Sequence, residues 1–195
     1  MSWTKKVHEF TSTGQGLMSS IQYQHVAEAI GITSPCNLLV FGLGSDSYLW
    51  NNINIDGKTV FLEDDHDWIG QFKDDLRKLD IVEVSYDTKS KDHREIGFDN
   101  QRLEMKTLPE RVRSVEWDVI FVDGPLGHNP PRPYKGPGRM CSLYEASRLV
   151  RPSGIVIVDD IGRLIESTYA AHYLGQENLW KVVENKVAFF KAPNK

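Results

Sequence analysis

The chain has 195 residues, 40% hydrophobic and 26% charged, with a formal net charge of -4. That is enough for one domain with a sizeable core and describes a soluble globular protein. The numbers weigh against a nucleic-acid partner, which wants a basic surface. Two cysteines, Cys36 and Cys141, weigh against a disulfide framework or a zinc site, and no apolar run approaches the roughly 20 residues of a membrane span.

Residues 1–14 are polar and mixed and read as a loosely ordered lead-in without a signal-peptide core. A soluble cytoplasmic protein, or a soluble domain of something longer, is the resulting expectation. Gln15 to Ile30 places Leu17, Met18, Ile21, Val26, Ala29 and Ile30 on one helical stripe, which Gly31 closes. The stripe predicts a helix packed on the sheet edge, with Ser19, Ser20, Tyr23 and Gln24 free to face a ligand. Asn37 to Phe41 reads as a short buried strand running into Gly42-Leu43-Gly44, with Ser45-Asp46 able to cap a following helix. A strand, a glycine turn and a helix start make a crevice where backbone approaches a cofactor closely.

Lys58 to Glu63 is a second strand ending in Glu63, Asp64 and Asp65. Trp68 to Leu79 is helical, Ile81 to Tyr86 alternates as a third strand, residues 87–101 read as a charged loop, and Leu103 to Leu108 is strand or coil. Trp117 to Val122 is a fourth strand followed by Asp123-Gly124-Pro125. A Pro/Gly-rich irregular loop over 126–138 comes next, then a helix over Arg139 to Val150. Gly154 to Val158 is a fifth strand ending in Asp159-Asp160, and Arg163 to Leu174 is helical. Leu179 to Val183 and Val187 to Lys191 are joined by the tight turn Glu184-Asn185-Lys186.

Alternating strands and helices, with no repeat and no linker, predict a single α/β domain over 1–195. Three residues cannot make a parallel crossover, so the last two strands pair antiparallel. A mostly parallel sheet of seven strands with a C-terminal antiparallel hairpin is the Rossmann-like class I S-adenosylmethionine (SAM) methyltransferase fold, by fold-level analogy. In such sheets ligands sit outside the carboxyl ends of the strands. Gly42, Gly44 and Ser45 then belong to the cofactor turn. Glu63, about 20 residues on, suits the ribose hydroxyls, with Asp64 and Asp123 beside the cofactor. Asp64 and Asp65 also read as helix-capping acids.

Asp123, Asp159 and Asp160 should converge, and three carboxylates repel unless a cation relieves them. Oxygen ligands suit Mg²⁺ or Mn²⁺, so the three form a candidate metal site; the other reading is that Asp160 caps a helix and Asp123 binds loop backbone. Catechol O-methyltransferase and some macrolide-sugar methyltransferases use a similar arrangement. His128 is the candidate base for a sugar hydroxyl, with Asp123 the alternative. Arg132, Lys135 and Arg139 are candidate acceptor contacts, and Trp50 and Tyr134 are candidates to stack on a sugar.

The segments CNLLVFGLGSDSYLW, TVFLEDDHDWI, WDVIFVDGPLGHNPP, GPGRM and IVDDIGRLIESTYAAHYL resemble the plant glucuronoxylan 4-O-methyltransferase and xylan-biosynthesis family over residues 16–192. The resemblance implies SAM-dependent methylation of a polysaccharide hydroxyl, with the glycine turn and Glu63 holding SAM and Asp123 matching the family's aspartate after strand four. This chain departs from the family in three places. Plant members carry an N-terminal Golgi anchor, their segment between strands three and four is longer and contains cysteines, and their fifth strand usually ends His-Asp where Asp159-Asp160 stands here. A scaffold of the same fold that assists a glycosyltransferase is the non-catalytic alternative. A nicotinamide oxidoreductase, which wants a sixth parallel strand, and a catechol-type enzyme, which wants an apolar acceptor pocket, are weaker rivals.

Overall fold

The computed structural model describes residues 2–72, 79–126 and 136–193. Seven strands form one sheet: β1 (Asn37–Phe41), β2 (Lys58–Glu63), β3 (Asp80–Glu83), β4 (Trp117–Val122), β5 (Val150–Val158), β6 (Leu179–Val183) and β7 (Val187–Lys191). The order is β3-β2-β1-β4-β5-β7-β6. The first five strands are parallel, whereas β7 runs antiparallel to both β5 and β6. This is the class I SAM-dependent methyltransferase topology that the terminal hairpin predicts. The hairpin turns on Glu184 and Asn185, with φ of 50° and 52°. Two successive left-handed residues are what a type I′ turn between twisted strands requires.

Successive strand residues face opposite ways, so each strand feeds two cores. Leu39, Phe41, Ile120, Val122, Val156 and Val158 face one core, shared with α8 (Met140–Leu149) and α9 (Leu164–Ala170). Leu38, Val40, Phe61, Val119, Phe121 and Ile157 face the other, covered by α1 (Trp3–Ser12), α2 (Ser20–Thr33) and α3 (Ser47–Ile53). Among the described residues no helix is long and apolar enough to cross a membrane.

Several elements differ from the sequence-based expectation. The expected lead-in is largely helix α1, anchored by the buried Val7. Helix α2 starts later than Gln15 because Ser19 and Gln22 form a capping box: Gln22 N–H donates to Ser19 Oγ (3.2 Å) and Ser19 N–H to Gln22 Oε1 (2.9 Å). Leu17, counted on the apolar stripe, is therefore outside the helix and 95% exposed. Gly31 does not close α2, which runs on to Thr33; a Cβ there would come within 2.7 Å of the Trp3 ring, so the glycine makes room for α1.

After β2 the described helix is α4 (His66–Gly70), and much of the rest of the expected helix lies in 73–78, outside the described residues. The charged segment 87–101 holds a 3₁₀ turn (Ser90–Asp92) and the helical turns α5 (His93–Ile96) and α6 (Asn100–Leu103). Helical turn α7 (Glu110–Arg113) follows. Strand β5 begins at Val150 rather than Gly154. Its pairing with β4 shifts register between Trp117 and Val119, and a Cβ at Gly154 would meet Asp118 O at 2.9 Å. Helix α9 gives way at Ala171–Gly175 to a π-helical turn.

One buried amide ties the starts of β1 and β2. Asn54, 1% exposed, accepts from Cys36 N–H (3.0 Å) and donates to Cys36 O (2.9 Å), Lys58 O (3.2 Å) and Thr59 Oγ1 (3.0 Å). Removing it strands several backbone groups away from water, each costing about 1–3 kcal/mol when unpaired. Asn54→Ala should therefore lower unfolding free energy by at least about 2 kcal/mol in urea titrations. A loss within error of zero would show that water replaces the amide.

Candidate active site at the strand tips

Strand register places the candidate residues in one row. Phe41 pairs with Leu62 and with Val122, and Val122 pairs with Val158. The next residue on each strand is Gly42, Glu63, Asp123 or Asp159, so all four stand level at the carboxyl rim. Parallel pairing thus brings together residues far apart in sequence.

On the β1 side, Gly42 has φ of +109°, a conformation that L side chains rarely adopt. Its immediate neighbour is backbone: a Cβ on Gly42 would lie 3.0 Å from Gly124 N, and a Cβ on Gly124 would lie 2.7 Å from Gly42 Cα. Gly124 N–H and Asp123 N–H both donate to Phe41 O (2.6 and 3.0 Å). The two glycines therefore let the tips of β1 and β4 touch. Ser45 is exposed, and Gly44 N–H donates to Ser47 Oγ at 3.0 Å.

Glu63 is 9% exposed and organises the turn. Its Oε2 accepts from Leu43 N–H (2.9 Å), and its Oε1 accepts from Asp64 N–H (2.9 Å) and Asp65 N–H (3.0 Å). A carboxylate has about four acceptor positions, so one is left after these three bonds. That is the acceptor a ribose hydroxyl of adenosine needs, and the chain fits SAM at this point. Asp65 caps α4, accepting from Trp68 N–H at 2.9 Å, which settles its capping reading. Burial and the neighbouring Glu63 push Asp64 up to about 6. Trp68, read from sequence only as a helix core position, donates its indole N–H to Leu43 O (2.6 Å). Leu43's peptide is thus gripped from both sides.

On the β4–β5 side the three carboxylates converge, as expected, but on Arg139. Its guanidinium donates to Asp159 O (2.7 Å), Pro125 O (3.3 Å) and Asp123 O, and pairs with Asp160 Oδ2 (3.2 Å), Asp123 Oδ1 (3.4 Å) and Asp159 Oδ2 (3.9 Å). Arg139 is 4% exposed. A buried guanidinium with these partners is not free to contact an acceptor at the site mouth, which corrects that expectation. The expected metal site does not fit either. The positive charge among the carboxylates is Arg139's, and among the described residues no group of three His, Cys, Asp or Glu side chains is disposed to hold a metal. Asp160 takes a left-handed backbone (φ 58°) and also pairs with Arg163 (2.9 Å).

The local field is acidic nonetheless. Burial, then the neighbouring Asp123, pushes Asp159 up to about 7. Burial also raises Asp46 to about 6, against the bond that Tyr23 Oη donates to it (3.2 Å). Burial raises Asp123 as well, opposed by Arg139. Neither the Asp46–Tyr23 pair nor the central place of Arg139 was assigned from sequence; Asp46 read as a helix cap, and it makes no side-chain cap bond. Trp50 is core, 1% exposed and stacked on Tyr23 at 5.6 Å, so it is no sugar platform. His128, Arg132, Tyr134 and Lys135 lie outside the described residues.

A sequence model of the IRX15/IRX15L/GXM family matches residues 22–97 and 92–189. The chain belongs to this family. Glucuronoxylan 4-O-methyltransferase 1 of Arabidopsis thaliana is 34% identical over 86% of this chain and 65% of its own length. Protein IRREGULAR XYLEM 15 is 35% identical over 74% and 51%, and arabinogalactan O-methyltransferase 2 is 28% identical over 96% and 76%, both from the same plant. The chain thus spans about half to two thirds of the length of the first two relatives. Among solved structures, the MycE methyltransferase of mycinamycin biosynthesis, bound to Mg, SAH and mycinamycin VI, aligns with a TM-score of 0.55 at 14% identity. That alignment covers 100% of this chain and 56% of MycE. The Thermus thermophilus 16S rRNA methyltransferase RsmC, bound to AdoMet and guanosine, aligns with a TM-score of 0.59 at 15% identity, over 91% and 44%. These likenesses establish the class I methyltransferase fold.

Two predictions come from this geometry. Gly124→Ala should drive a methyl into the Gly42 backbone and lower stability by about 1–3 kcal/mol, the usual range for overpacking, with the Tm falling accordingly; an unchanged Tm would mean that the tips can part freely. The second concerns pH. Asp159 and Asp46 have folded values above the unfolded aspartate's of about 3.9. Between the unfolded and folded values the folded state therefore holds extra protons, and their contribution to stability, full below about 4, is lost as pH rises to about 6 for Asp46 and about 7 for Asp159. The urea midpoint should fall over that window, and Asp159→Asn should flatten the fall. A midpoint that rises over the window contradicts the assignment.

Proposed function

We propose that this chain is a SAM-dependent O-methyltransferase that methylates a sugar hydroxyl of a glycan. The observation that carries the reading is the single row of Gly42, Glu63 and Asp123 at the strand tips, in a chain of a family that includes named glucuronoxylan and arabinogalactan methyltransferases. Gly42, Gly44, Ser45 and Glu63 hold the cofactor, with Asp64 beside them. SAM, when bound, supplies an electrophilic methyl group on its sulfonium. The chain's own task is to place a hydroxyl in line and remove its proton, and much of the rate comes from that placement.

A sugar hydroxyl is a weak nucleophile and needs a base. Asp123 is the base favoured by the geometry: its side chain is 31% exposed, whereas those of Asp159 and Asp160 are 6% and 14% exposed. His128 is the alternative. Arg132 and Lys135 remain the candidate acceptor contacts. The reading assigns the positive charge at the tips to Arg139 and includes no metal step.

Calorimetry with SAM tests the cofactor half. Wild type should bind, and Glu63→Ala should bind at least about tenfold more weakly through loss of a charge-assisted contact. Labelled SAM with glucuronoxylan and arabinogalactan, with and without chelator, tests the rest. Transfer should persist under chelation, and Asp123→Asn should lower kcat by about 10²–10⁴-fold, the range for a lost general base. The second reading is a non-catalytic scaffold assisting a glycosyltransferase. It draws on the relative Protein IRREGULAR XYLEM 15, whose name states no activity. Absence of SAM binding would favour it.

A further inference from the structure

Arg139 is spent on more than charge balance. A planar guanidinium offers five N–H donors in a fixed fork. Here that fork reaches three backbone carbonyls, of Asp123, Pro125 and Asp159, as well as the side chains of Asp123, Asp159 and Asp160. It is anchored just ahead of α8, and it pins the tips of β4 and β5. Of the three carboxylates it touches, Asp123 is the one that stays partly open.

We propose that Arg139 is a positioning residue: it grips Asp123 by both its carbonyl and its carboxylate, and so fixes that carboxylate toward the open edge of the crevice. The inference rests on the methyltransferase reading for its consequence, proton removal from an acceptor hydroxyl, but the grip itself is a property of the protein alone.

Other charges surround Asp123. Asp46 from the turn after β1 and Asp160 from the end of β5 disfavour its ionisation, whereas a hydrogen bond with the Asp159 side chain favours it. Lys186, from the β6–β7 turn, lies 3.8 Å from Asp159, and Arg163 engages Asp160. Glu166 on α9 is fully buried and adds another acid near Arg139. Arg139 is the cation bonded to Asp123 itself. Without it, burial and the like charges of Asp46 and Asp160 are opposed by the Asp159 hydrogen bond alone, and Asp123 holds its proton to higher pH. Lysine keeps a positive charge but has no planar fork, so it cannot hold all three carbonyls.

The test uses Arg139→Gln and Arg139→Lys. On SAM-free protein, ¹³C-carboxyl NMR of labelled aspartate reads the Asp123 titration; it should move up by about one pH unit or more in the Gln variant and much less in the Lys variant. With labelled SAM and a glucuronoxylan oligosaccharide, the acidic limb of the kcat–pH profile should move the same way in Arg139→Gln. Arg139→Lys should keep the limb near wild type yet lose about 10²-fold in kcat, the scale of a misplaced catalytic group. SAM affinity should stay within about threefold, because Arg139 makes no contact with Glu63 or the glycine turn. A folded Arg139→Gln with an unmoved Asp123 titration overturns the proposal, as does full kcat in Arg139→Lys. Absence of transfer by wild type, together with a shifted titration, would fault the methyltransferase reading and leave the grip standing.

Discussion

Burying several carboxylates at the tips of adjacent strands is the constraint around which this molecule is arranged. Each such group loses hydration on folding, and like charges at close range add repulsion. The chain meets both costs chiefly with the Arg139 guanidinium between β4 and β5, bonded to backbone and side chains alike, with Arg163 at Asp160 and Lys186 at Asp159. Burial first, and like charge second, keep Asp159 and Asp46 above the usual carboxylate range. The site is therefore a proton-holding centre of net acidic character, not a saturated salt-bridge network.

The two halves of the rim are built differently. The β1–β2 half is made of peptide groups: Glu63 and Trp68 clamp the Leu43 amide, and the glycines keep side chains out. Backbone polarity suits a cofactor of constant structure, recognised by hydrogen bonds in fixed places. The β4–β5 half is made of ionisable side chains, whose protonation can change as a reaction proceeds. Parallel register aligns the two, so on the proposed reading cofactor recognition and proton removal meet at the boundary between β1 and β4.

Much of this was readable in the amino-acid order. Five strands, β1, β2, β4, β6 and β7, begin and end where the apolar runs do, because such runs are bounded by charges, glycine or a tight turn. The Glu63 spacing and the convergence of Asp123, Asp159 and Asp160 were legible because parallel strands of similar length share a rim. What composition could not give was the partner of the convergence. Arg139 opens a helix directly after a stretch of prolines and glycines that reads as exposed loop, and only the approach of α8 to the sheet carries it inside. The start of α2 was misjudged for a local reason: Ser19 and Gln22 satisfy the first amides, a preference stronger than the apolar count that included Leu17. Gly31 was taken as a stop when its missing side chain instead accommodates Trp3.

The contact between Gly42 and Gly124 has a mechanical meaning. Two bare backbones meeting at van der Waals distance, joined by amides that share the Phe41 carbonyl, cannot slide independently. Displacement of the donor-side turn must therefore be transmitted to the peptide that carries Asp123. On the proposed reading, occupancy on one side of the crevice is felt as alignment on the other through this backbone contact.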